Sequence, residues 1–260
     1  MGPSVQYKYI QAMGEDDLLY IKLNRPEKRN AISDEMLMEL EQAFTSVDPN
    51  IKCILLHAEG NHFSAGLDLS ELTERDLSGG IQHSRMWHRV MDQIQFAKAP
   101  VVAVLKGACV GGGLELASAC HIRVAEASTF YALPEGQRGI YVGGGASLRL
   151  PKLIGVARMT DMMITGRVIT AVEGLQTGIS QYLTAESEGL VKGIELAHKI
   201  ASNAVMTNFA LVQVLPRIAE LPHDQALLME SLIAAIAQQT PEAKERLQQF
   251  LKGNAPKINE

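Results

Sequence analysis

Three consecutive glycines, residues 111–113, stand between an apolar run and a segment rich in Leu and Ala. The spacing predicts a buried strand, a tight turn and a helix that opens at the glycines. The first amides of a helix have no carbonyl to pair with, and glycine lets a ligand approach them closely. The pattern indicates a site for an anion or a developing oxyanion. The alternative is a tight turn that needs glycine only for packing.

One carboxyl, that of Glu115, lies in a segment otherwise made of Leu, Ala, Gly, Ser and Cys. Burial of an unpaired carboxylate is costly, so such a group usually has a raised pKa and a chemical task. Three residues after Gly112, Glu115 falls on the same helix face as that amide. We expect a buried acid that transfers protons. The alternative is a charge that faces solvent on a small helix.

A second glycine-rich segment covers residues 130–145 and contains Glu135 directly after a proline. Alone, Glu135 would be a loop charge or a partner for Arg138. Beside a buried Glu115, it suggests two carboxyls whose environments push their pKa values apart. A third segment, residues 62–69, has small residues around Gly66 that would expose another backbone N–H, although most such loops are only turns.

The elements that must position these residues alternate between strands and helices in the first half of the chain. Strands are predicted at residues 5–11, 18–24, 53–57, 101–105 and 122–125, and helices after Ser33, over 81–98 and after Gly113. Repeated strand–helix units without long linkers indicate an α/β layered core. The later predictions are all helical, at 188–202, 208–218, 225–239 and 241–252. We therefore predict a catalytic core over residues 1–154 and a helical region over 155–260.

Composition excludes several classes of protein. The chain has 260 residues, with 47% hydrophobic and 20% charged residues, as in ordinary globular proteins. Its net charge is −5 and no Lys/Arg block is present, which argues against nucleic-acid binding. Three cysteines without a CxxC pair predict a reducing compartment. No signal peptide or membrane-spanning apolar run is evident, so we expect a cytoplasmic protein without membrane association. His83 and His88 are not at a metal-ligand spacing, so we interpret them as surface histidines.

Four motifs, taken together and in order, resemble the crotonase (enoyl-CoA hydratase/isomerase) superfamily over nearly the whole chain. They are Leu23-Asn24-Arg25-Pro26, residues 63–68 (FSAGLD), residues 111–117 (GGGLELA) and Pro134-Glu135. The resemblance implies an α/β fold, namely a spiral of ββα units that gives two roughly perpendicular sheets. It also implies a helical C-terminal oligomerisation region that forms homotrimers, often paired into hexamers.

The same resemblance implies roles for particular residues. The amides of Leu67 and Gly112 would form an oxyanion hole for the thioester carbonyl of an acyl-CoA. Glu115 would assist attack of water at C3, and Glu135 would serve protonation of C2. Further substrate contacts are expected at Ala65, Gly66, Asp68 and Gly143, and at Lys28 and Arg29. The last two would meet the CoA phosphates or form a solvated charge pair.

The implied activity is that of a lyase, an enoyl-CoA hydratase that adds water to a trans-2-enoyl-CoA. No metal and no redox cofactor is expected, because CoA arrives as part of the substrate. One alternative is an enoyl-CoA isomerase that uses Glu135 alone. Another is a crotonase for a functionalised acyl-CoA, which the polar Gln137 and Arg138 after Glu135 would suit. A third is a crotonase-fold binding or scaffold protein without activity.

Overall fold

The computed structural model describes residues 6–71 and 75–253. The chain divides into two compact units, Met1–Ala201 and Ser202–Glu260. The described strands are β1 Ile10–Glu15, β2 Leu18–Leu23, β3 Cys53–Ala58, β4 Val101–Leu105, β5 Ala108–Val110, β6 Ile122–Glu126, β7 Phe130–Ala132, β8 Ile169–Thr170 and β9 Tyr182–Thr184. The helices of the first unit are α1 Asp34–Thr45, α2 Leu77–Gln95, α3 Gly112–Ala119, α4 Ala146–Ile154, α5 Val156–Thr165, α6 Ala171–Thr177 and α7 Gly189–Ala201.

A six-stranded sheet in the order β1-β2-β3-β4-β6-β9 forms the centre of the first unit. β1 runs antiparallel to β2, and the other neighbours are parallel. The predicted antiparallel pair is confirmed, and its first strand begins at Ile10. Of the span predicted for that strand, residue 5 lies outside the described residues and residues 6–9 are not in a strand. β1 is an edge strand with only Ile10 buried, so its alternation in the sequence was a weak guide. Asp16, in the left-handed region at φ 52°, makes the tight turn into β2.

Helices cover both faces of this sheet, which confirms the α/β class. On β3, Ile54 and Leu56 belong to the main core with side chains of α1, α2 and α3, whereas Leu55 belongs to a second core that includes Leu196 of α7. A strand buried on both faces reads as a continuous apolar run, which is why β3 and β4 were predicted closely. Ser33 caps α1 as predicted, because its side chain accepts the amide of Met36.

The second sheet that the resemblance implied has three strands in the order β5-β7-β8, and the alternation in the sequence did not define their bounds. β5 and β7 are parallel and have three residues each, too few to give a periodic signal. β5 leads into the three glycines at the start of α3, and β7 leads to Glu135. The small sheet therefore brings the two glycine-rich segments side by side.

The region after residue 154 is mostly helical, but it also supplies strands. β9 joins the large sheet next to β6, and β8 pairs with β7. The compact units divide after Ala201, so residues 155–201 belong with the sheets. No helix among the described residues is both long enough and apolar enough to cross a membrane.

The second unit is helical throughout its described part. Its helices are α8 Val205–Phe209, α9 Leu215–Ile218, α10 His223–Gln239 and α11 Pro241–Leu251. The helix predicted over 208–218 is interrupted by a π-helical turn, Ala210–Val214, just before Pro216. Proline has no N–H to continue the helical ladder, which explains the break. Thr240 caps α11, because its side chain accepts the amide of Ala243.

Candidate active site

A cleft of about 440 Å³ in the first unit collects the chemistry-bearing segments. Its walls come from the loop after β3, one face of α2, the start of α3 and the segment between β7 and α4. The lining residues are Ala65, Gly66, Leu67, Leu69, Gly80, His83, Ser84, Trp87, Val110, Gly111, Gly112, Glu115, Glu135, Arg138, Ile140, Tyr141, Val142, Gly143 and Gly144.

Hydrogen bonds hold the loop after β3 in a position that leaves the amide of Leu67 without an acceptor among the described residues. The amide of Ile32 donates to the carbonyl of Gly66 at 2.7 Å, and the amide of Asp68 donates to the carbonyl of Ile32 at 2.9 Å. In such a parallel bridge the residue between them points its N–H the other way. Gly66 has φ 93°, a backbone conformation that glycine adopts without strain. The Leu67 amide therefore faces the cleft.

The turn at Gly111 aims the first amide of α3 at the same place. Gly111 has φ 52°, and its own amide donates to the carbonyl of Ala132. A Cβ added to Gly112 would lie 3.3 Å from the nitrogen of Leu67 and 2.8 Å from the Trp87 ring. Neither the Leu67 amide nor the Gly112 amide has an acceptor in the described part of the chain. Two free N–H groups, of which that of Gly112 is at a helix N-terminus, can receive a carbonyl oxygen that gains negative charge.

Glu115 lies one turn into α3 and is buried, as predicted, with 5% of its surface exposed. Its Oε1 accepts the amides of Gly144 at 2.7 Å and Ala146 at 3.1 Å, and Oε2 has no partner among the described residues. Burial raises the pKa of Glu115, the two amide bonds oppose that rise, the charge of Glu135 adds to it, and Arg149 opposes it.

Glu135 follows β7 and opens the short 3-10 turn Gly136–Arg138. A Cβ added to Gly111 would lie 2.6 Å from its Oε1, so the carboxyl reaches the start of α3. Its Oε2 is buried without a hydrogen-bond partner. Burial raises the pKa of Glu135, against a smaller lowering by a backbone hydrogen bond and by Arg138. Two protonatable carboxyls thus face one cleft, and the two amides at the start of α4 hold the first of them.

Gly143, Ala65 and Gly66, the residues expected to contact the substrate, line the cleft, and that contact stays a prediction. The carbonyl of Gly143 accepts the Ser84 hydroxyl at 2.6 Å, which ties the loop before α4 to α2. Lys28 and Arg29 are exposed and stand outside the cleft lining. The carbonyl of Arg29 accepts the amide of Ala65, so these two residues adjoin the Ala65 wall. Their contact with CoA phosphates stays a prediction.

Asp68 does not line the cleft. It pairs with Arg25 at 2.6 Å, with both side chains buried, and it accepts the amide and hydroxyl of Ser70. The Ser70 hydrogen bonds, followed by Arg25, lower the pKa of Asp68 to about 2. The side chain fixes the loop that presents the Leu67 amide.

Sequence reasoning missed two features of the site. Arg149 of α4 is buried beside the loop that holds Glu115, and it donates to the carbonyl of Gly144 at 3.3 Å and to Asp92 at 2.6 Å. Its signal was an arginine between two leucines, Leu148 and Leu150. His83 lines the cleft and bonds to Asp34 at 2.8 Å, although the sequence suggested a surface histidine. No group of three or more His, Cys, Asp or Glu residues within 6–71 and 75–253 is arranged to hold a metal.

Known proteins resemble the chain over most of its length. The profile of the enoyl-CoA hydratase/isomerase family matches residues 14–260. Enoyl-CoA hydratase EchA19 of Mycobacterium tuberculosis is 29% identical over 243 residues, covering 92% of this chain and 91% of that protein. The 2,3-dehydroadipyl-CoA hydratase of Escherichia coli is 29% identical, with 92% and 94% covered. A crystal structure of a "putative enoyl-CoA hydratase" from Rhodopseudomonas palustris is 54% identical, with a TM-score of 0.91 and 94% and 95% covered.

Proposed function

The chain belongs to the enoyl-CoA hydratase/isomerase (crotonase) family, and within that family we propose that it is a hydratase that adds water across the 2,3 double bond of a trans-2-enoyl-CoA. Members of the family act on acyl-CoA thioesters. One observation carries the finer proposal: two buried carboxyls, Glu115 and Glu135, face the same cleft as the free amides of Leu67 and Gly112.

The two amides would bind the thioester oxygen. When water adds to C3, the electron pair of the double bond moves toward C2 and the carbonyl, and the oxygen becomes an enolate oxyanion. Donors placed before the reaction stabilise that charge, and one such donor is worth roughly 3–4 kcal/mol of barrier in comparable sites. The pairing of the Leu67 and Gly112 amides supports this role.

The two acids would divide the proton transfers. Glu115, whose Oε1 is held by two amides, keeps Oε2 available to orient water and take its proton as the C3–O bond forms. Glu135, with no hydrogen bond to stabilise a charge on Oε2, would deliver a proton to C2. One proton leaves water and one enters C2, so the atoms and charges balance across the pair. The pKa values of the reaction belong to the pair.

This scheme requires only the protein and the substrate. The amides polarise the carbonyl, the carboxyls move protons, and CoA arrives as part of the thioester. We therefore propose no metal and no redox cofactor. The three buried, unpaired cysteines suit a reducing cytoplasm.

An enoyl-CoA isomerase is the nearest alternative, since a shuttle between two carbons of the acyl chain needs a single acid. The held position of Glu115 opposite Glu135 favours hydration over isomerisation. A functionalised acyl group is compatible with the scheme, and one relative of this chain is named for a substrate of that kind, 2,3-dehydroadipyl-CoA.

The deciding experiment supplies crotonyl-CoA to the purified protein. Hydration removes the enone absorbance and raises the product mass by that of one water, whereas isomerisation leaves the mass unchanged. Absence of both changes across a panel of neutral and functionalised enoyl-CoA thioesters would favour a binding or scaffold role and overturn the proposal.

We also propose assembly into trimers or hexamers. Among its described residues, α10 has none that is buried, and it exposes Leu228, Leu232 and Ile236. Large apolar side chains that share one helix are typical of surfaces that associate. Light scattering of the purified protein measures the assembly, and a monomer at micromolar concentration would contradict it.

A further inference from the structure

The turn after Glu135 is anchored on one side and open to the cleft on the other. The backbone of Gly136 lies so close to the carbonyl of Met163 that a Cβ there would clash. The Gln137 side chain points to the end of α5 and donates to the carbonyl of Thr165 at 3.1 Å. Gln137 therefore does not reach the cleft, whereas Arg138 lines it.

Arg138 brings an uncompensated positive charge to this cleft. Of the described lining residues, it is the one Lys or Arg. Its guanidinium makes no ion pair or hydrogen bond with the rest of the described chain, and its charge acts on Glu135. A cation beside a proton-donating acid favours the ionised form of that acid, so it opposes the role proposed for Glu135. A negatively charged group of the substrate, paired with Arg138, would neutralise this effect of the guanidinium on Glu135.

The wall next to Arg138 suits the methylenes of an acyl chain. Ile140, Tyr141 and Val142 follow it along the cleft. Ile140 and Tyr141 also border a neighbouring apolar cavity of about 570 Å³ with Met159 and Ile164. Lys28 and Arg29, the residues expected to meet CoA, adjoin the cleft at Ala65 on the loop after β3, whereas Arg138 lies on the segment between β7 and α4. The proposed function therefore places Arg138 on the acyl side of the reacting carbons.

We propose that Arg138 binds a carboxylate carried by the acyl group, so that the site selects acyl-CoA thioesters with an anionic end over neutral ones. This inference rests on the proposed function for its placement of the acyl chain. A guanidinium matches a carboxylate in plane and can form two parallel N–H···O bonds. In this proposal Arg138 is a specificity-determining residue of the site, and the substrate class is that of acyl-CoA thioesters with an anionic end.

Binding of saturated thioesters tests the inference without requiring turnover. Adipyl-CoA and hexanoyl-CoA have the same CoA moiety and six acyl carbons, and differ in a terminal carboxylate against a terminal methyl. Calorimetry on the intact protein is expected to give adipyl-CoA a roughly ten- to hundredfold lower Kd, the range of a charge-assisted hydrogen bond. R138M is expected to abolish that preference and R138K to restore part of it.

R85M is the matched control, since Arg85 is an exposed arginine of α2 outside the cleft, and its loss changes the net charge equally. R85M should still bind adipyl-CoA more tightly than hexanoyl-CoA. If R138M weakens both thioesters equally, Arg138 contacts the CoA moiety, and the inference is wrong. If the parent binds both equally, Arg138 is a solvated charge, and the inference is also wrong.

Turnover separates this inference from the proposed function. The turnover test uses the corresponding trans-2-enoyl thioesters. R138M should lower kcat/KM roughly ten- to hundredfold for the diacid thioester. For the neutral thioester, kcat/KM should stay within about twofold of the parent value. A parent that prefers adipyl-CoA but hydrates nothing would contradict the hydratase proposal alone. A parent that hydrates the neutral chain but shows no preference in binding would contradict only the role of Arg138.

Discussion

The amide of Gly144 donates a hydrogen bond of 2.7 Å to Oε1 of Glu115, which joins the loop before α4 to the acid on α3. The amide of Ala146 donates to the same oxygen at 3.1 Å. A Cβ on Gly144 would lie 2.8 Å from Oε2, so glycine is required for this approach. One carboxyl oxygen is thus fixed and the other is left to the cleft, an arrangement suited to orienting a water molecule.

E115Q should lower the rate of crotonyl-CoA hydration by roughly 10²- to 10⁴-fold, the usual contribution of a general acid or base. Glutamine retains an oxygen that can accept the Gly144 and Ala146 amides, so the loop should keep its position. Initial rates measure the effect, and a thermal melt compares the folds. A variant that hydrates as fast as the parent would remove Glu115 from the mechanism.

E135Q should also abolish most activity, and it should make the protein more stable at neutral pH. The folded-state pKa of Glu135 is raised by burial, so its stabilising contribution is complete below the unfolded pKa of about 4.3 and is lost as pH rises. A neutral glutamine avoids the buried charge, and we expect a gain on the order of 1 kcal/mol at pH 8.

Denaturant titrations at pH 8 and pH 4 measure this difference. The gain from E135Q should shrink toward zero at pH 4, where the parent carboxyl is protonated as well. An equal gain at both pH values would mean that the charge of Glu135 is not its cause. E186Q is the matched control, since it makes the same carboxyl-to-amide change at an exposed glutamate, and it should give no such gain.

The sequence indicated which residues share the cleft more clearly than it indicated the strands around it, and the roles of those residues stay predictions. Glu115 was recognisable because a carboxyl in an otherwise apolar segment is expected to be buried. The glycines indicated where a ligand can approach the backbone closely. The strands of the small sheet could not be delimited from the sequence pattern, because β5 and β7 have three residues each. Their position in the sheet depends on neighbours that are distant in sequence.

The groups that hold Glu115 in place could not be predicted from the neighbouring sequence either, because they too are distant in sequence. Its two donor amides are 29 and 31 residues away, and Arg149 acts through the backbone of Gly144. Asp68 shows the converse case. Its position in the FSAGLD motif implied a substrate contact, whereas its partner Arg25 lies far back in the chain and makes it a buried support.

G112A should lower hydration by roughly 10²- to 10³-fold, because the added methyl group would crowd the Leu67 amide and meet the Trp87 ring. G14A is the matched control, since a Cβ at Gly14 on β1 meets no atom within 4 Å. Steady-state kinetics of both variants checks the prediction. Unchanged kinetics in G112A would show that the two amides do not act on the substrate.

D68N should destabilise the protein by roughly 3 kcal/mol at pH 7, because Arg25 is left as a buried charge without its partner. The pKa of Asp68, lowered to about 2, gives stability that is complete above the unfolded pKa of about 3.9 and is lost as pH falls toward 2. The difference between D68N and the parent should therefore narrow below pH 4 in denaturant titrations.

D161N is the control for that measurement, because Asp161 pairs with Arg167 while both side chains are largely exposed. Its cost should stay below about 1 kcal/mol. Equal costs for D68N and D161N at pH 7 would contradict the structural role given to the buried pair.

R149M should lower kcat with little change in KM and should shift the acidic limb of the pH profile upward. Arg149 donates to the carbonyl of Gly144 and opposes the rise in the pKa of Glu115, so its loss both loosens the loop and raises that pKa further. R149K should restore part of the pH profile, because it keeps the charge. D92N, which removes only the exposed carboxylate partner of Arg149, should leave the profile in place. A loss of stability in R149M with an unshifted pH profile would make Arg149 a packing residue without influence on Glu115.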